Sequence, residues 1–220
     1  MASVDLKKGG RVDLQKAVPG LTKIGVGLGW KENKFSTGGE YDLDVTAFIL
    51  NNDANGDPKC VQAENMVFYG SECRTLDDKT PFRDTGKYPK KGKPCSAKLE
   101  LIHSGDNTTG SGEGDDETLL GDVPGLLAVG DEVSFIVTIH EAVERKQNFG
   151  QISNAYVRVY DLSTGADICR YNLEEDFSTE TAVQVGSLYK NSEGHLSFKA
   201  VGQGYSAGLS DFCDGYGIGH

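Results

Sequence analysis

Short apolar runs, many of them alternating with polar residues, recur along this chain and are separated by clusters of Gly, Pro, Asn and Asp. This pattern predicts strands in eight runs, at 22–30, 41–50, 65–70, 97–103, 132–141, 155–161, 167–173 and 195–201. Strands that greatly outnumber helices are typical of an all-β fold, and we expect two sheets packed as a β-sandwich.

A helical spacing of apolar residues is found near the C-terminus. Ala182, Val185 and Leu188 recur at three-residue steps after a candidate N-cap at Asp176 or Ser178, which predicts a helix there. A second, shorter helix is predicted within residues 206–215. We expect one or two such helices at the periphery of the sandwich.

The segment 71–96 differs from the rest of the chain because it holds three prolines and five lysines. We interpret it as a surface insertion within a single domain that spans residues 1–220. Its two cysteines, Cys73 and Cys95, bracket the lysines and could pair under oxidation. The five cysteines include no CxxC pair, and reduced thiols are the default expectation for a chain without an export signal.

The net charge of −11 narrows the classes of partner. It disfavours nucleic acid and anionic lipid as direct partners, because both carry the same sign, and it favours cations. Apolar runs stay well below the roughly 20 residues that a membrane span needs. The N-terminal residues also lack the apolar core of a secretory signal, so we expect a cytoplasmic protein.

Residues 103–117 gather five acidic side chains with no Lys or Arg, and four glycines lie among them. Asp106, Asn107, Asp115, Asp116 and Glu117 offer hard oxygen ligands, which select Ca²⁺ or Mg²⁺ over zinc or copper. A supple loop with many carboxylates fits the variable coordination of Ca²⁺ better than octahedral Mg²⁺. Two interpretations stay open, a divalent metal site and a solvated acidic loop.

A second pair of carboxylates, Asp42 and Asp44, lies on one face of the strand predicted at 41–50, about 7 Å apart. Phe48 and Leu50 share that face, so we expect it to be buried at one end and charged at the other. Carboxylates at a core margin repel each other unless a cation or hydrogen-bond donors compensate. The alternative interpretation is a solvated strand end.

An apparent EF-hand loop begins at Asp53, with Asn55, Asp57 and Glu64 near the expected spacing. Its sixth position is Pro58, where the sharp turn of an EF-hand requires Gly. The flanking runs alternate as strands do, so we predict a hairpin turn instead.

Acidic residues also precede the helix predicted after residue 176. Glu175 and Asp176 suit a helix N-terminus, which is the simple explanation for their presence. Glu180 would face a metal ion if this loop meets the acidic stretch.

With these residues identified, the chain resembles the TerD family of tellurite-resistance and stress-associated proteins. The resemblance covers nearly the whole chain and rests on KKGGRVDLQKAVPGLTKIGVGLGW, YDLDVTAFIL, HSGDNTTGSGEGDDE, VSFIVTIHEAVERKQNFGQISNAYVRV, RYNLEEDFSTETA and FKAVGQGYSAGL. The chain departs from the family between Tyr69 and His103, where family members have a shorter connection.

The resemblance implies a β-sandwich that binds one or two calcium ions through acidic loops at one end. It implies a cage formed by Asp42, Asp44, Asp106, Asn107, Asp115, Asp116 and Glu117. A further acidic motif adds Glu175, Asp176 and Glu180 to the expected metal ligands.

The resemblance also implies a non-enzymatic, calcium-dependent binding module in tellurite resistance or general stress response, with other proteins of such a system as partners. Two alternatives remain open. One is a calcium-dependent module that binds anionic lipid peripherally. The other is a hydrolase with a carboxylate-held metal, for which His103 is the sole candidate acid or base near the acidic stretch.

Overall fold

The computed structural model describes residues 3–32, 41–104, 114–173 and 177–219. Its strands up to the acidic stretch are β1 (Val4–Leu6), β2 (Arg11–Asp13), β3 (Lys23–Glu32), β4 (Leu43–Asn52), β5 (Pro58–Cys60), β6 (Met66–Val67), β7 (Cys73–Thr75), β8 (Pro81–Arg83), β9 (Lys93–Pro94) and β10 (Leu101–His103). The later strands are β11 (Glu117–Asp122), β12 (Glu132–Ile139), β13 (Ile152–Asp161), β14 (Asp167–Asn172), β15 (Ala182–Lys190) and β16 (Leu196–Tyr205). The short helices are α1 (Leu14–Ala17), α2 (Val123–Val129), α3 (Ala142–Arg145) and α4 (Leu209–Gly215), with single 3-10 turns at Ala63–Asn65 and Phe149–Gln151.

Two main sheets pack face to face, which confirms the predicted β-sandwich. The first sheet has the strand order β1-β14-β13-β3-β11-β10, and the second has the order β2-β16-β15-β12-β4-β5, with β6 also pairing with β4. Neighbouring strands are antiparallel except β1 and β14. A small third sheet, β8-β7-β9, is built from the predicted insertion.

The core lies between the two main sheets, and β4 shows how the sequence alternation builds it. Val45, Ala47 and Ile49 lie on the face opposite to Phe48 and Leu50, and they point into the core. Phe48 and Leu50 point to the opposite face of the second sheet, where α4 covers them. The helix predicted within residues 206–215 is thus confirmed as the cover of this outer face.

The helix predicted over residues 182–188 is wrong, because this segment is strand β15. The pairing of β15 with both of its neighbours shifts register between Gln184 and Gly186. Such a bulge adds one residue and reverses the alternation, so Val185 and Leu188 both face the core although they are three residues apart. Ser178 lies in the loop before β15, and Asp176 lies outside the described residues.

The segment 71–96 is organised around the buried side chain of Arg74. The guanidinium of Arg74, which is 4% exposed, lies inside the small sheet. It donates hydrogen bonds to the backbone carbonyls of Tyr69, Ser71, Lys91 and Gly92. These bonds hold the two ends of the insertion together.

Strand ends from both main sheets meet at one end of the sandwich. The strands that end there are β3, β10, β12, β14 and β16. The strands that begin there are β4, β11, β13 and β15. We call it the acidic end, because Asp42, Asp44, Asp116 and Glu117 lie there. The connections 33–40, 105–113 and 174–176, which lie outside the described residues, join strands that end and begin at this end.

Candidate metal centre

Glu117 connects the two main sheets at the acidic end. It is the first residue of β11, it faces inward, and it is 1% exposed. Its Oε2 accepts a hydrogen bond from the backbone N–H of Val45 on β4, at 2.7 Å. This N–H belongs to the Asp44–Val45 peptide bond, so Glu117 from one predicted acidic motif lies against the backbone of the other.

A histidine lies beside Glu117 in the interior. His103, the last residue of β10, is 0% exposed, and its Nε2 lies 3.6 Å from Oε2 of Glu117. The candidate acid or base of a hydrolase is therefore enclosed between the sheets.

Asp116 binds the end of β3 through both its backbone and its side chain. Its N–H donates to the carbonyl of Leu28 at 2.8 Å, and its Oδ2 accepts from the N–H of Trp30 at 3.0 Å. Partial burial raises the pKa of Asp116, and the Trp30 amide opposes that shift. The carboxylate is thus held in a fixed place where its charge is poorly solvated.

Asp115 lies on the outer face of the first sheet, away from the inward-facing Glu117. Its carboxylate pairs with the Arg158 guanidinium, with Nε–Oδ1 and Nη2–Oδ2 distances of 2.8 Å, and it accepts from the Tyr156 hydroxyl at 3.0 Å. It lies directly over Gly27, where a Cβ would stand 2.0 Å from Oδ2. Arg158 also contacts Asp167. The described contacts therefore join Asp115 to an arginine rather than to Asp116 or Glu117.

This arrangement depends on alternating glycines in β3, which were not among the predicted site residues. The GVGLGW run places Gly25, Gly27 and Gly29 on the outer face, where Tyr160, Asp115 and Tyr156 fill the space of the missing side chains. The signal is present in the sequence as alternating glycines on β3 and an alternating Tyr-Arg-Tyr pattern on β13.

Asp44 approaches the acidic end from the outer face of the second sheet. It is 6% exposed, and its Oδ2 lies 3.9 Å from Nδ1 of His140. The backbone carbonyl of Asp42 accepts from the N–H of His140 at 2.8 Å. The charged and apolar ends that we predicted for this strand face are therefore both observed, with Phe48 at the apolar end.

Glu180 is engaged by its own loop. Its Oε2 accepts from the backbone N–H groups of Ser178 and Thr179, at 2.8 and 2.9 Å. These hydrogen bonds lower the pKa of Glu180. Four other predicted ligands, Asp106, Asn107, Glu175 and Asp176, lie outside the described residues.

The apparent EF-hand loop is a hairpin between β4 and β5, as predicted. Oδ1 of Asp53 accepts from the backbone N–H groups of Asn55 and Asp57, at 2.8 and 3.0 Å. The N–H of Asp53 donates to the carbonyl of Asp57 at 2.9 Å, which closes the turn. The acidic side chain that opens this loop thus serves the turn itself.

A cluster of Asp13, Glu193 and His195 has ligand atoms close enough to share a cation. Lys16 already supplies the positive charge, because its Nζ pairs with Glu193 and lies 4.0 Å from Asp13. Nδ1 of His195 lies 3.0 Å from Oδ2 of Asp13. We interpret this cluster as an ion-pair network.

The sequence model of the TerD domain matches residues 1–216. The chain belongs to the TerD family. It is 41% identical over 216 residues to general stress protein 16U of Bacillus subtilis (strain 168), and 38% identical over 218 residues to tellurium resistance protein TerD of Serratia marcescens. Both alignments cover 98% of this chain and 98% of the relative.

A solved structure supports the fold of this TerD domain. It is a homologue of telluride resistance protein (TerD) from Streptomyces coelicolor A3(2), with a TM-score of 0.56 and 20% identity over 88% of this chain and 95% of that one. Within the described residues, the helices are all too short or too polar to cross a membrane.

Proposed function

We propose that this TerD-family protein is a non-enzymatic calcium-binding module that acts in the stress or tellurium response. The observation that carries the proposal is the contact of Glu117 with the Val45 amide. This contact joins the motif that contains Glu117, on the first sheet, to the motif that contains Asp44, on the second sheet. It lies at the acidic end, where the connections 105–113 and 174–176 join the strands.

The donor chemistry at this end fits Ca²⁺. Asp42, Asp44, Asp116 and Glu117 are carboxylates, and Ca²⁺ takes six to eight such oxygens together with carbonyls and water. We propose that these four residues hold the ion, or two ions, with Asp106, Asn107, Glu175 and Asp176 from the adjoining connections. A doubly positive ion would offset the repulsion among carboxylates gathered at this end of the sandwich.

Asp115 and Glu180 take a different role in this proposal. The described contacts tie Asp115 to Arg158 and Glu180 to its own backbone loop. We propose that both residues shape the loops beside the ion rather than coordinate it, which amends the ligand set expected from the family resemblance.

The enclosed position of His103 favours a binding module over a hydrolase. General acid–base catalysis requires the side chain to reach the substrate or a bound water. His103 is wholly buried against Glu117. We propose instead that bound calcium fixes the acidic end as a docking face for another protein of the stress response.

Calorimetric titration of CaCl₂ into chelator-treated protein tests the calcium proposal. We expect binding of one or two ions, and a thermal melt that rises with calcium, since ligand at a hundredfold excess over its dissociation constant stabilises the folded state by about 2.7 kcal/mol. MgCl₂ at the same concentration should give a smaller effect. A titration without heat, together with an unchanged melt, would refute the proposal.

Matched variants locate the site. Asp116→Asn and Glu117→Gln should each weaken calcium binding at least about tenfold, because each removes one carboxylate charge from the ion. Asp53→Asn is the control, since Asp53 serves the hairpin turn. Equal weakening by Asp53→Asn would place the site in the hairpin.

A further inference from the structure

Two thiols of the insertion lie opposite each other on neighbouring strands. In the small sheet, Arg74 on β7 pairs with Pro94 on β9, and the same register continues to Cys73 and Cys95. The N–H of Cys95 donates to the carbonyl of Cys73 at 2.9 Å, and the two Sγ atoms are 3.7 Å apart. Directly opposite residues at such a hydrogen-bonded position have Cα atoms about 5.5 Å apart, which is within the range that a disulfide spans.

The two thiols differ in access. Cys73 is partly exposed and lines a cavity of about 760 Å³ between the insertion and the segment 62–68. Phe68, Phe82 and Arg83 also line this cavity. Cys95 is 0% exposed and lies behind Cys73. A small oxidant in the cavity therefore meets Cys73 first.

Burial keeps both thiols protonated at neutral pH. It raises the pKa of Cys73, and it raises the pKa of Cys95 to about 12. The reacting species is the thiolate, so oxidation should be slow near pH 7 and faster at higher pH.

We propose that Cys73 and Cys95 form a reversible dithiol–disulfide site that is oxidised by small disulfides of the glutathione class. This site is separate from the proposed calcium centre and does not depend on it. The cross-link would join β7 to β9 on either side of Arg74, the residue that holds the insertion together.

The reaction balances without another reagent. The Cys73 thiolate attacks one sulfur of the small disulfide, whose S–S bond breaks and releases one thiol. Cys95 then loses its proton and attacks Sγ of Cys73, which forms the Cys73–Cys95 bond and expels the second thiol. The protein loses two electrons and two protons, and the small disulfide is reduced to two thiols.

Thiol mapping of the full-length protein tests the proposal. The protein is incubated with oxidised glutathione at pH 8, the free thiols are alkylated, and the digested peptides are analysed by mass spectrometry. We expect Cys73 and Cys95 to become protected together as one cross-linked peptide pair, and reduced glutathione to reverse the change. Cys60 is the internal control, because the described hydrogen bond of its thiol goes to the Gln62 carbonyl rather than to another thiol.

A variant separates the two chemical steps. In Cys95→Ser, Cys73 should retain a glutathione adduct, because the second thiol is missing. The wild-type result stands alone if this variant fails to fold. Persistent glutathione on Cys73 of the wild-type protein would overturn the proposal, as would Cys60 reacting while the pair stays reduced.

Discussion

Replacing Arg158 with methionine tests the electrostatic anchor of Asp115. Arg158→Met keeps the aliphatic length of the side chain but removes the charge that pairs with Asp115 and Asp167. Asp115 would then retain the Tyr156 hydroxyl as its remaining described side-chain partner. The expected loss of stability follows from the burial of the pair.

The Arg158 side chain is 25% exposed and that of Asp115 is 7% exposed. The pair thus lies between exposed ion pairs, which contribute about 0–1 kcal/mol, and buried pairs, whose disruption costs about 3–5 kcal/mol. The guanidinium also lies 4.4 Å from the centre of the Tyr160 ring, and such a contact contributes about 0.5–1 kcal/mol. We therefore expect Arg158→Met to lower the free energy of unfolding by about 2–3 kcal/mol.

Arg83→Met is the matched control. Arg83 pairs with Glu72 at 2.7 Å, but the side chains are 68% and 42% exposed. Its loss should cost much less than the loss of Arg158, because water screens the pair. Urea unfolding followed by the fluorescence of Trp30 measures both variants. Equal losses for Arg158→Met and Arg83→Met would show that burial does not set the strength of the anchor.

Three further predictions concern calcium, backbone space and acid stability. Asp116→Asn should weaken calcium binding at least about tenfold in calorimetry while Asp53→Asn leaves it unchanged; the reverse order would move the site to the hairpin. Gly27→Ala should lower the denaturant midpoint, because the added Cβ would meet Asp115. The control is Gly215→Ala, whose Cβ meets no atom within 4 Å and which should raise the free energy of unfolding by about 0.5–1 kcal/mol. Destabilisation by both variants would argue against the close contact. Burial would raise the pKa of Asp13, but hydrogen bonds from Lys16, His195 and Asn191 outweigh it and lower the pKa below 3.8. The stabilisation from Asp13 is therefore present above its unfolded pKa and lost as pH falls through its folded pKa, so the deficit of Asp13→Asn should shrink below about pH 4 in pH-dependent melts.

The architecture was largely predictable because one face of each long strand is buried. In β4, alternation alone identifies Val45, Ala47 and Ile49 as core residues and Phe48 as part of the opposite face. Alternation fails in β15, because a bulge adds Val185 and produces the spacing of a helix. A bulge is set by the pairing of neighbouring strands, which a single segment of sequence does not contain.

The candidate site was less predictable, because its contacts join residues far apart in the sequence. The carboxylates of Asp116 and Glu117 were identified, but their backbone partners, Trp30 and Val45, carry no side-chain signal for this role. Asp115 is chemically similar to Asp116, and what distinguishes it is Arg158, which lies 43 positions along the chain. Asp115 and Glu117 therefore received one predicted role although the fold directs them to opposite sides of the first sheet.

The hydrogen bond from the Val45 amide to Glu117 makes one backbone proton a reporter for the junction between the sheets. If Glu117 turns toward an ion, this amide loses its acceptor and its exchange with deuterated solvent should quicken. If the carboxylate serves both the ion and the amide, exchange should slow instead. The exchange rate of this one amide, followed by NMR, would thus show whether ion binding weakens or strengthens the contact between the two sheets.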